Sequence, residues 1–241
     1  MSLPLVCVHG FMGGQKQWHL QQEALGAERS LVLVALPGFG DLNGEPAIST
    51  INGLAKRVLA AVDAQGIMQF DLMGHSMGGM IVQEVIRLAP DRVRRLILYA
   101  TGSIGVLPGR FETIEESKAR GHRDGIQSTA RRIAATWFLH GEAARCYGPC
   151  ADIAAQTSPD AFDAGLEAMQ SWSGQPDLPS IRSETLILWG DRDRTYPWSQ
   201  TEILWQSIPH VHLAVVPGCA HAVHMEKPAL FNATLKDFLE A

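Results

Sequence analysis

The chain has 241 residues, of which 46% are hydrophobic and 19% are charged, and its formal net charge is −5 at pH 7. This length suits one large domain or a domain with an insertion, and the composition is ordinary for a globular protein with a full core. The acidic balance gives no electrostatic basis for binding nucleic acid. No apolar run approaches the roughly 20 residues of a membrane span, so we expect no membrane insertion.

The amino terminus and the cysteines bear on where the protein works. Residues 1–10 lack a basic segment and lead directly into an apolar, strand-like run, which argues against a secretory signal. The four cysteines, Cys7, Cys146, Cys150 and Cys219, are scattered, so we expect reduced thiols in a cytoplasmic protein. Two of them are close enough in sequence to form a metal-binding pair, but no second pair has zinc-like spacing, so we expect no metal.

Strand-like and helix-like segments alternate along the chain, which predicts an α/β fold with a mainly parallel sheet. The apolar runs expected to be strands are residues 5–8, 31–35, 70–73, 95–100, 185–189 and 212–216. The segments expected to be helices in the same part of the chain are residues 15–25, 51–65 and 79–86. A last helix begins at Pro228, where the missing N–H of proline suits a first turn.

The stretch between the fourth and fifth predicted strands contains no strand-like run. Its apolar residues follow helical spacing, at Ile126, Ala130, Ile133, Ala134, Trp137, Phe138, Phe162, Leu166 and Met169. We therefore expect residues 104–180 to form a helical insertion, or lid, on a core made of residues 1–103 and 181–241. Because ligands of open α/β sheets bind outside the carboxyl ends of the strands, a lid placed there would shape a pocket.

The most specific motif is Gly74-His75-Ser76-Met77-Gly78, which stands between an apolar strand and a helix-like run. A serine on a sharp turn from strand to helix is a nucleophile elbow, because the turn lifts the hydroxyl clear of the sheet. The Met77 N–H then lies at the start of the helix, where it can donate to a developing oxyanion. Ser76 is therefore the candidate nucleophile, and the competing interpretation is a tight glycine-rich turn with a solvated serine.

A nucleophilic serine needs a general base, and the base needs an acid that orients it. His221, in the loop after the sixth strand, is the candidate base, and His224 is a rival further from the strand end. Two aspartates follow the fifth strand. We favour Asp193 as the orienting acid, because the pattern Gly-x-x-Asp-x-x-x-Pro puts it at the loop apex, whereas Asp191 beside the glycine is placed to hold the turn. Residues 101–103, after the fourth strand, offer no carboxylate.

The second oxyanion donor is expected in the glycine-rich loop after the first strand, where the Phe11 amide is the candidate. Candidates for substrate binding are His75, which precedes the nucleophile, and the two lid tryptophans, Trp137 and Trp172. A tryptophan on an apolar helical face is more often part of the core, and that alternative stays open for both.

Taken together, these motifs resemble the α/β-hydrolase superfamily. The segments that carry the resemblance are residues 9–11, 37–40, 74–79, 190–197 and 218–228. The family usually has two strands before the His-Gly loop, and this chain has only residues 1–4 there. The resemblance therefore implies a shortened α/β-hydrolase fold, with about six parallel strands, helices on both faces and a helical lid. A serine nucleophile excludes the haloalkane dehalogenase branch, which uses an aspartate.

The resemblance implies a Ser-His-Asp triad that hydrolyses small carboxylic esters through an acyl-enzyme, with a small ester or lactone as partner and no cofactor. Two related reactions stay open, those of enol-lactonases and of carbon–carbon hydrolases that degrade aromatic compounds. The chain resembles enol-lactonases in its short amino terminus, its Ser-Met-Gly-Gly-Met run at 76–80 and its pair at 137–138.

Carbon–carbon hydrolases usually place a lid arginine near the substrate. The arginines that could serve are Arg110, Arg120, Arg123, Arg131 and Arg132, and the alternative is that they face water. A different class also stays open, because some relatives keep the triad and act as small-molecule receptors or signalling proteins. The sequence predicts neither the oligomeric state nor the particular ester.

Overall fold

A computed structural model describes residues 2–107 and 112–241, and its described part contains a six-stranded sheet in the order β2-β1-β3-β4-β5-β6. The strands are β1 (Leu5–Val8), β2 (Leu31–Val34), β3 (Phe70–His75), β4 (Val93–Tyr99), β5 (Glu184–Gly190) and β6 (Val211–Val216). All neighbouring strands are parallel. The predicted six-stranded parallel sheet is thus confirmed.

Helices connect the strands and cover both faces of the sheet. Those in the first half of the described chain are α1 (His19–Leu25), α2 (Ile51–Asp63), α3 (Met77–Leu88), α4 (Ile114–Asp124) and α5 (Ile126–Thr136). Those in the second half are α6 (Tyr147–Ala154), α7 (Pro159–Gln170), α8 (Trp198–Ser207), α9 (Val223–Glu226) and α10 (Pro228–Glu240). No helix in the described ranges combines the length and apolar character needed to cross a membrane.

Each strand serves two hydrophobic cores, because successive side chains of a strand point to opposite faces. In β1, Leu5 and Cys7 pack into the core beneath α1 and α10, whereas Val6 and Val8 pack into the core beneath α2 and α3. Burial on both faces explains why the central strands β1, β3, β4 and β5 are nearly continuous apolar runs instead of alternating ones. Because all six strands run in the same direction, the loops that follow them lie at one edge of the sheet.

The helices α4 to α7 lie between β4 and β5, and we call residues 112–180 the helical segment. The chain enters and leaves this region side by side. Ile104 and Ser173 form an isolated antiparallel bridge, and the Gly105 N–H donates to the Trp172 carbonyl at 3.1 Å. The described residues of the insertion expected from the sequence add no strand to the sheet.

Candidate active site

Ser76 alone makes the turn between β3 and α3, since β3 ends at His75 and α3 begins at Met77. Its φ is 57° and its ψ is −122°, a combination that residues other than glycine rarely adopt. Two hydrogen bonds join the strained turn to residues at the end of β4. The Ser76 N–H donates to the Tyr99 carbonyl at 3.0 Å, and the Ser76 carbonyl accepts from Thr101 Oγ1 at 2.7 Å.

The two glycines of the elbow allow α3 to approach the sheet closely. A Cβ atom on Gly78 would lie 2.3 Å from the Val8 carbonyl oxygen, and one on Gly74 would lie 2.2 Å from the Gly78 carbonyl oxygen. Both distances are far shorter than a van der Waals contact, and the atoms concerned belong to the backbone, which cannot move aside easily. The G-x-S-x-G pattern is therefore a packing requirement of this turn.

Asp193 and His221 form a buried hydrogen-bonded pair, as the sequence predicts for an acid and a base. His221 Nδ1 donates to Asp193 Oδ2 at 2.9 Å, while Asp193 Oδ1 accepts the N–H groups of Thr195 at 2.7 Å and Tyr196 at 3.1 Å. Only 8% of Asp193 and 1% of His221 are exposed. The carboxylate fixes the proton on Nδ1, which leaves the Nε2 lone pair able to accept a proton.

The two rival residues are engaged elsewhere. Asp191 Oδ1 accepts the Gly218 N–H at 2.6 Å, so this carboxylate holds the turns that follow β5 and β6 together. His224 lies in the interior, with Nδ1 2.8 Å from the Tyr99 hydroxyl, and burial lowers its pKa to about 3. Both therefore have contacts that suit structural roles.

The loop that carries His221 is anchored on the residues around the elbow. The His221 carbonyl accepts from the Tyr99 hydroxyl at 2.9 Å and from His75 Nε2 at 3.2 Å. Among the described residues, no hydrogen bond joins the Ser76 hydroxyl to His221. In a site without substrate such contacts are often long and tighten when the substrate binds.

His75 lies beneath His221 and not on an open surface. Its ring stacks on Tyr99 with centroids 4.5 Å apart and lies 4.6 Å from the His221 ring. Burial, reinforced by the neighbouring His221, holds the pKa of His75 well below its usual value. Since Gln17 Nε2 lies 3.4 Å from Nδ1, the neutral ring accepts there and donates through Nε2. These contacts support the His221 loop and do not match the substrate-binding role expected from the sequence.

His9 organises the loop after β1. Its Nε2 accepts the Leu36 N–H at 3.2 Å and its Nδ1 lies 2.9 Å from the Gly10 carbonyl, so the neutral ring satisfies both nitrogens. Burial lowers the pKa of His9 to about 4. The loop then passes close to the elbow, because a Cβ atom on Gly10 would lie 2.9 Å from the Ser76 Cβ.

The two predicted oxyanion donors belong to these adjoining segments. Neither the Phe11 N–H nor the Met77 N–H donates a hydrogen bond within the part of the chain that the structure describes. The Phe11 ring packs against Phe162 of α7, with centroids 5.6 Å apart, and against Phe39 at 6.1 Å. The Phe11 side chain thus forms an apolar contact next to one of the two candidate donors.

The two tryptophans are placed differently. The Trp137 ring lies 6.3 Å from the His221 ring, beside the candidate site. Trp172 instead lines a separate cavity of about 400 Å³ that also includes Gln83 and Glu84 of α3, and none of the triad candidates lines it. The substrate-binding role expected of Trp172 therefore does not fit its position.

The candidate arginines of the lid have ionic partners or face solvent where the structure describes them. Arg120 pairs with Glu112, Arg123 with Asp124 and Arg131 with Asp152, while Arg132 is exposed. Arg110 lies outside the described residues. The described arginines therefore fit the surface interpretation better than a role at the substrate.

All four cysteines are free thiols in the structure. Cys146 Sγ donates to the Met225 carbonyl at 3.4 Å, and burial raises the pKa of Cys150 to about 12. Among the described residues, no three histidine, cysteine or acidic side chains cluster in a way that could hold a metal ion.

Comparisons with known proteins agree with this architecture. A model of the family described as the alpha/beta hydrolase family matches residues 5–234. The chain is 28% identical to the dihydrolipoyllysine-residue acetyltransferase component of the acetoin cleaving system of Pseudomonas putida, over 98% of this chain and 63% of that protein. It thus spans less than two thirds of that relative.

Two further proteins are matched over most of their length. The chain is 27% identical to the pimeloyl-[acyl-carrier protein] methyl ester esterase of Salmonella agona, over 96% of this chain and 91% of the relative. Its structure is similar to that of an enol-lactonase from Burkholderia xenovorans LB400, with a TM-score of 0.91, 21% identity and coverage of 100% and 92% of the two chains. At this identity the structural likeness concerns the fold.

Proposed function

Because the chain belongs to the alpha/beta hydrolase family, we propose that it is a serine hydrolase that cleaves small carboxylic esters through an acyl-enzyme. Ser76 is the nucleophile, His221 the general base, and Asp193 the acid that orients the base. The amides of Phe11 and Met77 form the oxyanion hole. The observation that carries this proposal is the hydrogen bond of 2.9 Å between His221 Nδ1 and Asp193 Oδ2, in loops that lie at the same sheet edge as the strained elbow.

In the first half of the reaction, His221 Nε2 takes the proton of the Ser76 hydroxyl as Oγ attacks the ester carbonyl carbon. The two amides stabilise the negative charge that develops on the carbonyl oxygen. The bond to the alkoxide then breaks, and His221 protonates the alkoxide so that an alcohol leaves. Water repeats the sequence on the acyl-enzyme, which releases the carboxylic acid and restores Ser76.

We also propose that residues 104–180 form a lid on a core of residues 1–103 and 181–241, and that the lid limits substrate size. Only 9% of Ser76 is exposed, and helix α7 of the helical segment reaches the oxyanion loop through the contact of Phe162 with Phe11. Trp137 lies next to His221 on another side. These apolar walls suit a short, uncharged acyl group.

The ester specificity has support from one relative, whose name describes a methyl ester esterase. The enol-lactonase of similar fold makes lactones a second class to test. We therefore expect repeated turnover of short p-nitrophenyl esters in a screen that also includes enol-lactones and ring-cleavage dienones. A single stoichiometric burst without further turnover would favour the receptor alternative.

The matched control for this screen is Ser76→Ala. Removal of a serine nucleophile from a catalytic triad lowers kcat by up to about 10⁶-fold, so the variant should show no turnover above background. The thermal midpoint should stay within about 2 °C, because alanine, like serine, carries a Cβ atom, so the backbone strain at the turn is the same in the variant and in the wild type. Ester turnover that survives in Ser76→Ala would overturn the assignment of the nucleophile.

A further inference from the structure

The loop that carries His221 is attached to the helical segment as well as to the sheet. The Ala222 N–H, directly after His221, donates to the Trp137 carbonyl at 2.9 Å. Trp137 follows the end of α5, so this bond joins the helical segment to the backbone of the candidate base. Of the residues on either side of His221, Ala222 thus has its amide bound by the helical segment.

The other flanking amide is held through Glu226. The Ala220 N–H donates to Glu226 Oε2 at 2.7 Å, and the Leu139 N–H donates to Glu226 Oε1 at 2.7 Å. Glu226 is the last residue of α9 and is partly buried. A carboxylate that accepts from two backbone amides makes short, charge-assisted bonds, which are about twice as strong as neutral ones. One side chain thereby links the loop of the base to the helical segment.

The same point of the helical segment also contacts the loop of the orienting acid. The Leu139 carbonyl lies 3.4 Å from Arg194 Nη2, and Arg194 directly follows Asp193. Residues 137–139 therefore make hydrogen bonds to both loops whose side chains form the Asp193–His221 pair. We call residues 137–139 the bridging turn.

We propose that Glu226 is a positioning residue that aligns His221 through the bridging turn. The helical segment would then do more than cover the substrate, because it would complete the support of the general base. This inference rests on the proposed function, since it gives Glu226 a role in the reaction assigned to Ser76 and His221. Glu226 itself does not touch the reacting atoms in this scheme.

A purely structural role for Glu226 makes a different prediction. Loss of a loop hydrogen bond would lower the thermal midpoint, but every folded molecule would keep the same kcat. A positioning role predicts a lower kcat in the folded protein, because a displacement of about 1 Å of a catalytic group can cost about 10²-fold in rate. KM should change little, since Glu226 contacts backbone amides and not the substrate.

The variants Glu226→Gln and Glu226→Ala test this difference. Gln keeps the shape but turns an NH₂ group toward one of the two amides, and Ala removes both acceptors. We expect kcat for a short p-nitrophenyl ester to fall about 10- to 100-fold in both, with KM within about threefold of the wild type. The matched control is Glu84→Gln, which changes a carboxylate that accepts from Asn52 and Arg87, far from these loops in sequence, and should keep its kcat.

A second measurement does not depend on activity. Hydrogen exchange of the amides in the bridging turn and in residues 219–223 should accelerate together in Glu226→Ala and stay at the wild-type rate in Glu84→Gln. If Glu226→Ala does not fold, Glu226→Gln decides the question on both readouts. Wild-type kcat in a folded Glu226 variant, or faster exchange in only one of the two segments, would overturn the proposal.

The outcomes separate this inference from the proposed function. If the wild-type protein turns over no ester, the proposed function fails. The hydrogen-exchange measurement then decides by itself whether Glu226 links the bridging turn to residues 219–223. If the wild type is active and the Glu226 variants match it, only the positioning role fails.

Discussion

The two edges of the parallel sheet bury polar groups in opposite ways. At the amino edge, the fully buried Asp71 accepts from Arg29 at 2.6 Å and from Arg94 at 2.8 and 2.6 Å. The charge of this carboxylate is therefore balanced by two guanidinium groups. At the carboxyl edge the buried rings of His75 and His224 have pKa values held low by burial. The buried carboxylate at this edge, Asp193, is bound by two backbone amides and by His221 and not by arginines. The amino edge thus holds an ion cluster, whereas the carboxyl edge holds uncharged partners around the candidate site.

The largest effect is expected at the carboxyl edge, from Asp193→Asn. Asparagine can no longer fix the proton on His221 Nδ1 as a carboxylate does, and the corresponding change in a known triad lowers kcat by about 10⁴-fold. The control is Asp191→Asn, which should lower kcat less than about tenfold, since the asparagine oxygen can still accept the Gly218 N–H and the Asp193–His221 pair is unchanged. Steady-state kinetics on a p-nitrophenyl ester measures both. A greater loss from Asp191→Asn would reverse our assignment of the acid.

The opposite pattern is expected at the amino edge, from Asp71→Asn. Removal of one partner of a buried ion cluster leaves uncompensated charge, which typically costs about 3–5 kcal/mol in the free energy of unfolding. The folded variant should keep its kcat within about twofold. Urea denaturation measures the loss, and Asp63→Asn is the control, because its surface pair with Arg92 should contribute less than about 1 kcal/mol. Equal losses from the two variants would contradict the comparison.

The smallest effect concerns pH. His9 and His224 have pKa values of about 4 and about 3 when folded, because burial disfavours their charged forms, against about 6.5 when unfolded. Each therefore contributes stability in full above pH 6.5, and this contribution is lost as the pH falls toward the folded value. The slope is about 1.4 kcal/mol per pH unit for each imidazole.

Denaturation curves at several values between pH 8 and pH 5 test this sign. His224→Leu should show a shallower loss of stability in acid than the wild type, with a slope smaller by about 1.4 kcal/mol per pH unit. Parallel curves for His224→Leu and the wild type would show that His224 does not titrate on unfolding.

Much of the fold and of the candidate site can be predicted from the sequence because both depend on local patterns. The four central strands, β1, β3, β4 and β5, are apolar runs that are largely buried, and the edge strand β6 is an apolar run that is partly exposed. Ser76, Asp193 and His221 follow β3, β5 and β6. Loops that follow parallel strands open at the same edge of the sheet, so the order of the segments predicts that these three residues lie at that edge. The roles of the three residues stay predictions.

The rest depends on long-range packing. The sequence places Trp172 near the end of the expected lid, but it does not show that the side chain borders a cavity beside α3. The elbow motif gives the place of His75 in sequence, but not that its ring turns inward beneath His221. Glu226 bonds to Leu139, which lies 87 positions earlier in the chain, and no local signal links them. Asp71 was detectable in principle, since an acidic residue inside an apolar run requires a buried partner.

The antiparallel bridge between Ile104 and Ser173 has a consequence for the exchange of the helical region between homologous chains. Because the ends of the intervening region meet at one bridge outside the sheet, we expect that crossover points beside Ile104 and Ser173 would let this region be exchanged between homologues as a unit. A chimaera built this way must still present an amide and a carbonyl where Leu139 and Trp137 stand. It must also keep the contacts of α7 with the core, among them the packing of Phe162 against Phe11 and the hydrogen bond from the Ser158 N–H to the Gly38 carbonyl.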